Sequence, residues 1–438
     1  MAKLTIRGGK VLNGKVRING AKNASLPIMA ATLLTEGTTV LNRVPRLRDI
    51  HTLGKILDAL GLENERTDSD TIRMQVVDET NCTCPHDPAI EMRASVCVLG
   101  PLLARRGKAE VPLPGGCVIG ERPIDLHLKG LRALGAEIEQ KNGYVFAKAD
   151  KLVGNCIYMG GPRGSTVLGT ANVMMAATLA EGVTTIEHAA CEPEIRDLAN
   201  YLTACGALIE GAGTNTLTIE GVKRLEGTLH RVIPDRIEAG TFACMAAVAG
   251  NEVVLEGARP DHMSAIMDTM ENMGVKFKVH DKGITVLPPE KLIASDITAL
   301  PYPGLPTDIQ PQLMAALTQA DGTSVVTDSV FPDRFTQVGE LHRLGADIVK
   351  QGPQAVVKGP AQLTGAPVTA RDLRGGASLV IAALIAEGET TIDGMAHVDR
   401  GYERIENRLA TIGADVTRQG NAPFEVGQMQ LPFKRAAS

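Results

Sequence analysis

The sequence predicts an α/β protein of two domains, each made of three pseudo-symmetric units of about 70 residues with helices inside and sheets outside. Three observations carry this reading. An Ala/Leu-rich helix that ends at a glycine and runs into a β-branched strand recurs along all 438 residues, its glycines or equivalents being Gly37, Gly107, Gly182, Gly250, Gly322 and Gly388. A second phrase, a helix end followed by glycine and another strand, lies about 25 residues behind each first one, at Gly61, Gly135, Gly206, Gly274, Gly345 and Gly413. The first helix of each unit is apolar on nearly every face, as a buried helix must be, whereas the second is amphipathic and suited to cover it.

Taken in order, the first phrases read "AATLLTEGTTV", "GPLLARRGKAEV", "AATLAEGVTTI", "MAAVAGNEVV", "AALTQADGTSVV" and "AALIAEGETTI". The second phrases read "ALGLENE", "ALGAEIE", "ACGALIE", "NMGVKFK", "RLGADIV" and "TIGADVT". Each glycine marks a left-handed helix stop, so a unit runs helix, strand, helix, strand, turn, strand. In "RPIDLHLKGLRALG", Ile124, Leu128, Leu131 and Leu134 form the single apolar stripe of a covering helix. The stretch "TLHRVIPDRIEAG" separates the third unit from the fourth, and "VRINGAKNASLP" separates an N-terminal strand from the first helix. The expected division is therefore residues 1–21 plus 234–438 as one domain and 22–233 as the other, with a double crossover that would serve as a hinge. Two tandem domains joined by one linker are the alternative.

Composition narrows the function. A formal net charge of −5 excludes a general nucleic-acid coat, and 3% aromatic residues supply few stacking platforms. No apolar run approaches a membrane span, and "MAKLTIRGGK" has no secretory pattern, so a cytoplasmic protein without membrane or nucleic-acid partners is expected. Cys82, Cys84, Cys97, Cys117, Cys156, Cys191, Cys205 and Cys244 form no CxxC pair, and nine histidines show no HxxxH or HExxH spacing. Neither a metal site nor a cofactor is indicated. No GxxxxGK[ST] is present, and Gly211-Ala212-Gly213 is not completed by a third glycine because Thr216 stands there.

Polar residues follow the same repeat. Before or within the apolar helices stand Lys22 and Asn23, Glu91 and Arg93, Arg163 and Ser165, Asp235 and Arg236, Thr307 and Asp308, and Asp372 and Arg374. Before the amphipathic helices stand Arg46, Arg48 and Asp49, then Arg122 and Asp125, Glu192 and Glu194, Asp261, Asp333 and Arg334, and Asp399 and Arg400. A helix N-terminus carries about half a positive charge and unpaired N–H groups, so cations placed there build anion sites. If the buried helices of each domain run one way, Lys22, Arg93, Arg122, Arg334, Arg374 and Arg400 converge on an anion-binding cleft. At any single position the plainer reading is an Asp or Asn cap beside a surface ion pair.

Seven stretches resemble one family: "GAKNASLP" at 20–27, "LPGGCVIGERPIDLH" at 113–127, "EPEI" at 192–195, "PDRIEAGTF" at 234–242, "PTDIQPQ" at 306–312, "DLRGGASLV" at 372–380 and "HVDRGYERIE" at 397–406. They are similar to the enolpyruvyl transferase family of UDP-N-acetylglucosamine 1-carboxyvinyltransferases, which acts in bacterial peptidoglycan synthesis. The resemblance implies a pair of inside-out α/β domains. It also implies transfer of the enolpyruvyl group of phosphoenolpyruvate to the 3′-hydroxyl of UDP-N-acetylglucosamine, by addition and elimination through a tetrahedral intermediate with release of phosphate. On that resemblance Lys22, Asn23, Arg122, Arg374 and Arg400 bind phosphoenolpyruvate, and Cys117, Asp308, Lys22 and Arg400 are catalytic. The nucleotide sugar is expected at Asn23, Arg93, Arg122, Pro123, Ile124, Asp125, Leu126, Ser165, Thr166, Asp308 and Val330. Two departures stand out. "GPRGSTVLGTANV" replaces a short Ser-Val-Gly-Ala-Thr run, and Arg46 and Arg48 occupy places where lysine is common. Transfer to another hydroxyl acceptor, as in 5-enolpyruvylshikimate-3-phosphate synthases, and a non-catalytic anion-binding repeat protein are the competing readings.

Cys117 lies in "VPLPGGCVIGERP", between two glycines and Arg122. A neighbouring cation lowers a thiol pKa from about 8.5, which favours the reactive thiolate. The resemblance implies a mobile lid that carries this thiol to phosphoenolpyruvate, as general acid, covalent adduct former or aid to product release. It also implies alkylation of Cys117 by fosfomycin.

Overall fold

The computed structural model describes residues 2–115, 120, 123–162 and 164–420. The chain divides into two compact units, residues 2–19 with 234–420 and Gly120, and the rest of residues 20–233, each with its own apolar core.

Twelve of the helices among the described residues alternate between inner and covering positions, the short helices His86–Glu91 and Met395–Val398 standing apart from them. In residues 20–233 they are α1 (Lys22–Ala31), α2 (Arg48–Ala59), α3 (Leu99–Arg106), α4 (Asp125–Ala133), α5 (Val167–Ala177) and α6 (Pro193–Ala204). In the other unit they are α7 (Arg236–Ala249), α8 (Ser264–Asn272), α9 (Gln310–Leu317), α10 (Val338–Arg343), α11 (Leu373–Ile385) and α12 (Ile405–Thr411). The odd-numbered helices are the apolar ones. In α5 every residue from Gly169 to Ala177 is buried, and in α11 every residue from Arg374 to Leu384. In α2 only the stripe through Ile50, Leu53, Ile56 and Leu57 and its neighbours turns inward.

Behind each pair of helices stands one sheet of common design. In the fifth repeat, Ile297–Ala299 pairs parallel with Gly322–Asp328, which pairs antiparallel with Gln354–Gly359, itself antiparallel to Asp347–Gln351. The first, third, fourth and sixth repeats keep this order. The second has three strands, with a single parallel bridge from Thr83 to Glu110 in place of the edge strand.

The N-terminus completes two of these sheets. Lys3–Arg7 is the third strand of the sixth sheet, between Glu389–Asp393 and Asp415–Gln419, and Leu12–Arg17 is the parallel edge of the fourth. Leu4, Ile6, Leu12, Val16 and Ile18 are at most 3% exposed, and each such burial contributes about 1.5–3 kcal/mol. Where the chain leaves this unit, Asp235 N–H donates to the Asn19 carbonyl (2.9 Å). Where it enters the other, Ala21 N–H donates to the Ile233 carbonyl (2.7 Å). Gly20 admits no side chain, because a Cβ there would stand 1.7 Å from the Arg43 carbonyl oxygen.

The two glycine phrases prove unlike. All six second-phrase glycines have positive φ. After α4, Gly135 N–H bonds the Arg132 carbonyl and Ala136 N–H the Leu131 carbonyl, the paired closure that a left-handed residue permits. The same pair recurs after α6, α8, α10 and α12. Among the first-phrase glycines Gly107 and Gly250 stand at the C-caps of their helices, and of these two only Gly107 is left-handed. Gly37, Gly182, Gly322 and Gly388 keep positive φ but stand where the strand begins. Gly250 corrects the expectation of a left-handed stop. Its φ is −88°, α7 runs straight into the strand, and a Cβ would lie 2.4 Å from the Ala246 carbonyl oxygen, so crowding rather than φ demands glycine there.

Candidate functional site

The start of α11 and the turn before α9 bring four of the noted residues together within one unit. Asp372 caps α11, its Oδ1 accepting the N–H groups of Arg374 (3.0 Å) and Gly375 (2.9 Å). That cap fixes the first turn and aims the Arg374 side chain, which is 1% exposed, at Asp308. Arg374 Nη2 and Nε donate to Asp308 Oδ2 at 3.1 and 3.3 Å, while Arg334 Nη1 donates to Asp308 Oδ1 at 2.7 Å. Arg334 is 3% exposed, so two buried guanidinium groups grip opposite oxygens of one carboxylate.

The electrostatics follow from that grip. Burial alone would raise the Asp308 pKa, but Arg374 and Arg334 outweigh it and hold the carboxyl well below the usual carboxylate range. Burial would likewise lower the Arg374 pKa, yet Tyr402 and Asp308 hold it above its ordinary value. The Tyr402 hydroxyl accepts from Arg374 Nη1 at 3.0 Å, and the guanidinium lies 5.3 Å from the ring centroid. Gln312 Nε2 and Thr241 join the same hydroxyl, which holds the aromatic ring in place. Val330 is half-buried in the turn after Gly322–Asp328, its N–H donating to Asp328 Oδ1 at 3.0 Å. Arg400 is half-buried just beyond the short helix Met395–Val398.

In residues 20–233 the noted residues fall into three places. Lys22, at the start of α1, is 7% exposed, and its Nζ lies 2.6 Å from Asp49 Oδ2 in the first turn of α2. Asn23 beside it is exposed. Arg93 donates from Nη2 to the Pro123 carbonyl (3.0 Å), tying the chain before α4 to the short 3-10 helix Arg93–Val98 that leads into α3. There Ile124 is buried, Leu126 half-buried, and Pro123 and Asp125 exposed. Ser165 ends a small hairpin with Gly160, and Thr166 caps α5 by accepting the Gly169 N–H at 3.3 Å. Cys117, Arg122 and Arg163 lie outside the described residues.

The capping reading holds for Asp235 and Asp372, whose carboxylates take two helix N–H groups each. Sequence reasoning did not single out Tyr402, Asp328 or the Lys22–Asp49 pairing. The signal for Tyr402 was present in "DRGYERIE", a buried-size aromatic among charges. Asp328 was signalled by an Asp two residues before Val330, the spacing of a side chain that closes its own turn.

The family model described as EPSP synthase (3-phosphoshikimate 1-carboxyvinyltransferase) matches residues 6–409. A UDP-N-acetylglucosamine 1-carboxyvinyltransferase of Thermodesulfovibrio yellowstonii is 50% identical over 422 residues, covering 95% of this chain and 100% of the relative. A protein of the same name from Myxococcus xanthus is 48% identical over 421 residues, covering 96% and 100%. Among solved structures, the enolpyruvyl transferase NikO from Streptomyces tendae superposes with a TM-score of 0.86 at 26% identity, covering 95% of this chain and 98% of that one. By the extent of the family match and the identity of these full-length relatives, the chain belongs to the EPSP synthase family, with the UDP-N-acetylglucosamine 1-carboxyvinyltransferases among its members.

Proposed function

We propose that this protein transfers the enolpyruvyl group of phosphoenolpyruvate to the 3′-hydroxyl of UDP-N-acetylglucosamine and releases phosphate, the first committed step of peptidoglycan synthesis. The observation that carries this reading is the near-50% identity to carboxyvinyltransferases of that name along almost the whole chain. The reaction balances as an addition followed by an elimination. The sugar oxygen bonds to C2 of phosphoenolpyruvate while C3 gains a proton; phosphate then leaves C2 as C3 loses a proton, which restores the double bond.

Phosphoenolpyruvate carries a phosphate and a carboxylate, and paired guanidinium groups suit both. Lys22, Arg122 and Arg400 hold the phosphate, Arg374 and Arg400 the carboxylate, and Asn23 lies beside Lys22. Arg93, the segment Pro123, Ile124, Asp125 and Leu126, the loop at Ser165 and Thr166, and Val330 bind the nucleotide sugar. Asp308 takes the proton of the sugar hydroxyl, and Cys117 acts at the phosphoenolpyruvate carbon. The geometry supports Asp308 in a specific way. It is ionised across the physiological range but weakly basic while both arginines grip it. A substrate carboxylate that draws Arg374 away would leave Asp308 with one cation fewer and a stronger base, coupling donor binding to proton acceptance.

The residue 20–233 unit, which contains Cys117, is the catalytic-loop domain in this reading. Among the described residues no helix is long and apolar enough to cross a membrane, which suits an enzyme whose substrates are cytoplasmic small molecules. The test is phosphate release from phosphoenolpyruvate with each acceptor in turn. Release with UDP-N-acetylglucosamine is expected; release only with shikimate 3-phosphate would overturn the assignment.

A further inference from the structure

Asp328 ends the strand Gly322–Asp328 with 0% exposure. Its Oδ1 accepts two backbone N–H groups, from Val330 (3.0 Å) and Phe331 (2.7 Å). Its Oδ2 accepts the Thr307 hydroxyl at 2.7 Å. Thr307 Oγ1 in turn accepts from Arg334 Nη1 at 3.1 Å, and the same nitrogen donates to Asp308 Oδ1 at 2.7 Å.

The order of donors in this chain matters. A threonine hydroxyl has one proton, and once Asp328 accepts it, only lone pairs remain to face Arg334. Arg334 is thereby offered two acceptors, Thr307 and Asp308. A neutral Asn at 328 would close the Val330 turn equally well with its carbonyl oxygen. Its amide nitrogen, however, is a donor, so the Thr307 proton would be turned towards Arg334. Burying a carboxylate is costly without such bonds, and burial does push the Asp328 pKa up against the pull of Phe331, Thr307 and Arg334. Closing the turn does not require the charge, whereas orienting Thr307 does.

We propose that Asp328 is a positioning residue for the transfer reaction: it fixes the Thr307 hydroxyl, which holds Arg334 against Asp308, and it fixes the turn that carries Val330. The proposal rests on the reading above, in which Asp308 and Val330 meet the acceptor sugar. The test is steady-state kinetics with phosphoenolpyruvate and UDP-N-acetylglucosamine on Asp328→Asn, Thr307→Val, their double variant and Thr307→Ser. Loss of one hydrogen bond to a charged group predicts kcat lower by about tenfold in each of the first two. The double variant should lose no more than either single one, because both cut the same chain. The acceptor KM should change little in Asp328→Asn, whose carbonyl still closes the turn, and Thr307→Ser should recover most of the kcat lost in Thr307→Val. The acid limb of the kcat/KM profile of Asp328→Asn should move to higher pH as Asp308 loses part of its grip by Arg334. Unchanged kcat in Asp328→Asn, or multiplicative losses in the double variant, would overturn the positioning role even if melting temperatures fall. Wild-type turnover with shikimate 3-phosphate alone would instead overturn the acceptor assignment; the same four variants are then compared on that acceptor, and multiplicative losses there overturn the positioning role separately.

Discussion

Asp308 shows how a side chain can be legible as a type and hidden as a state. "PTD" before an apolar helix marked it as a site residue, but its two arginine partners stand 26 and 66 positions further along the chain, and only folding joins them. Its depressed pKa has a sign that can be checked. The folded state favours the carboxylate, so this contribution to stability is complete above the unfolded value of about 3.9 and is lost as pH falls through the lower folded value. The melting-temperature gap between wild type and Asp308→Asn should therefore narrow as pH drops from about 5 towards 2. At neutral pH the same variant should bind nucleotide sugar yet turn over about a hundredfold more slowly or worse, the usual scale for losing a general base. Unchanged turnover would favour a non-catalytic anion-binding protein. The thiols separate as sharply. Burial pushes Cys84 and Cys97 up to about 12 and Cys205 to about 11, which leaves them unreactive at pH 8. Mass spectrometry after fosfomycin treatment with nucleotide sugar present should find the adduct on Cys117 and none on these three. An active enzyme without that adduct would sink the proposed role of the loop.

At the scale of elements, glycine spacing and helix polarity were readable because each follows from local physics. A left-handed residue must end α2, α4, α6, α8, α10 and α12, and a helix buried on all sides must be apolar on all sides. Gly250 was misread because a glycine required by crowding looks the same in sequence as one required by φ. The parallel edge strand was not legible at all, since Ile297–Ala299 and Leu229–Arg231 are too short to show a period. The distinction between the two glycine demands can be measured. Gly206→Ala, with φ +107° and no atom within 4 Å of the added carbon, should cost about 1–2 kcal/mol in chemical denaturation, from backbone strain alone. Gly100→Ala should cost more, because its carbon would meet the Asn172 carbonyl oxygen at 2.4 Å inside the core.

For the molecule as a whole, the double crossover makes the two units unequal. Among the described residues, every sheet pairing of residues 20–233 is internal to that stretch, whereas residues 234–420 borrow an inner strand from Lys3–Arg7 and an edge strand from Leu12–Arg17. Residues 20–233 expressed alone should unfold cooperatively. Residues 234–438 alone should not, until a peptide of residues 1–19 restores Leu4, Ile6, Leu12, Val16 and Ile18 to the core; circular dichroism melts of each mixture check this. What no repeat encodes is the reaction, and that reading came from the motifs and relatives. The most direct measurement is therefore the product itself, identified by mass spectrometry and NMR after incubating enzyme with phosphoenolpyruvate, UDP-N-acetylglucosamine and shikimate 3-phosphate together. The account predicts an enolpyruvyl ether at the sugar 3′-oxygen and stoichiometric phosphate; an unchanged nucleotide sugar beside enolpyruvyl-shikimate 3-phosphate would contradict it.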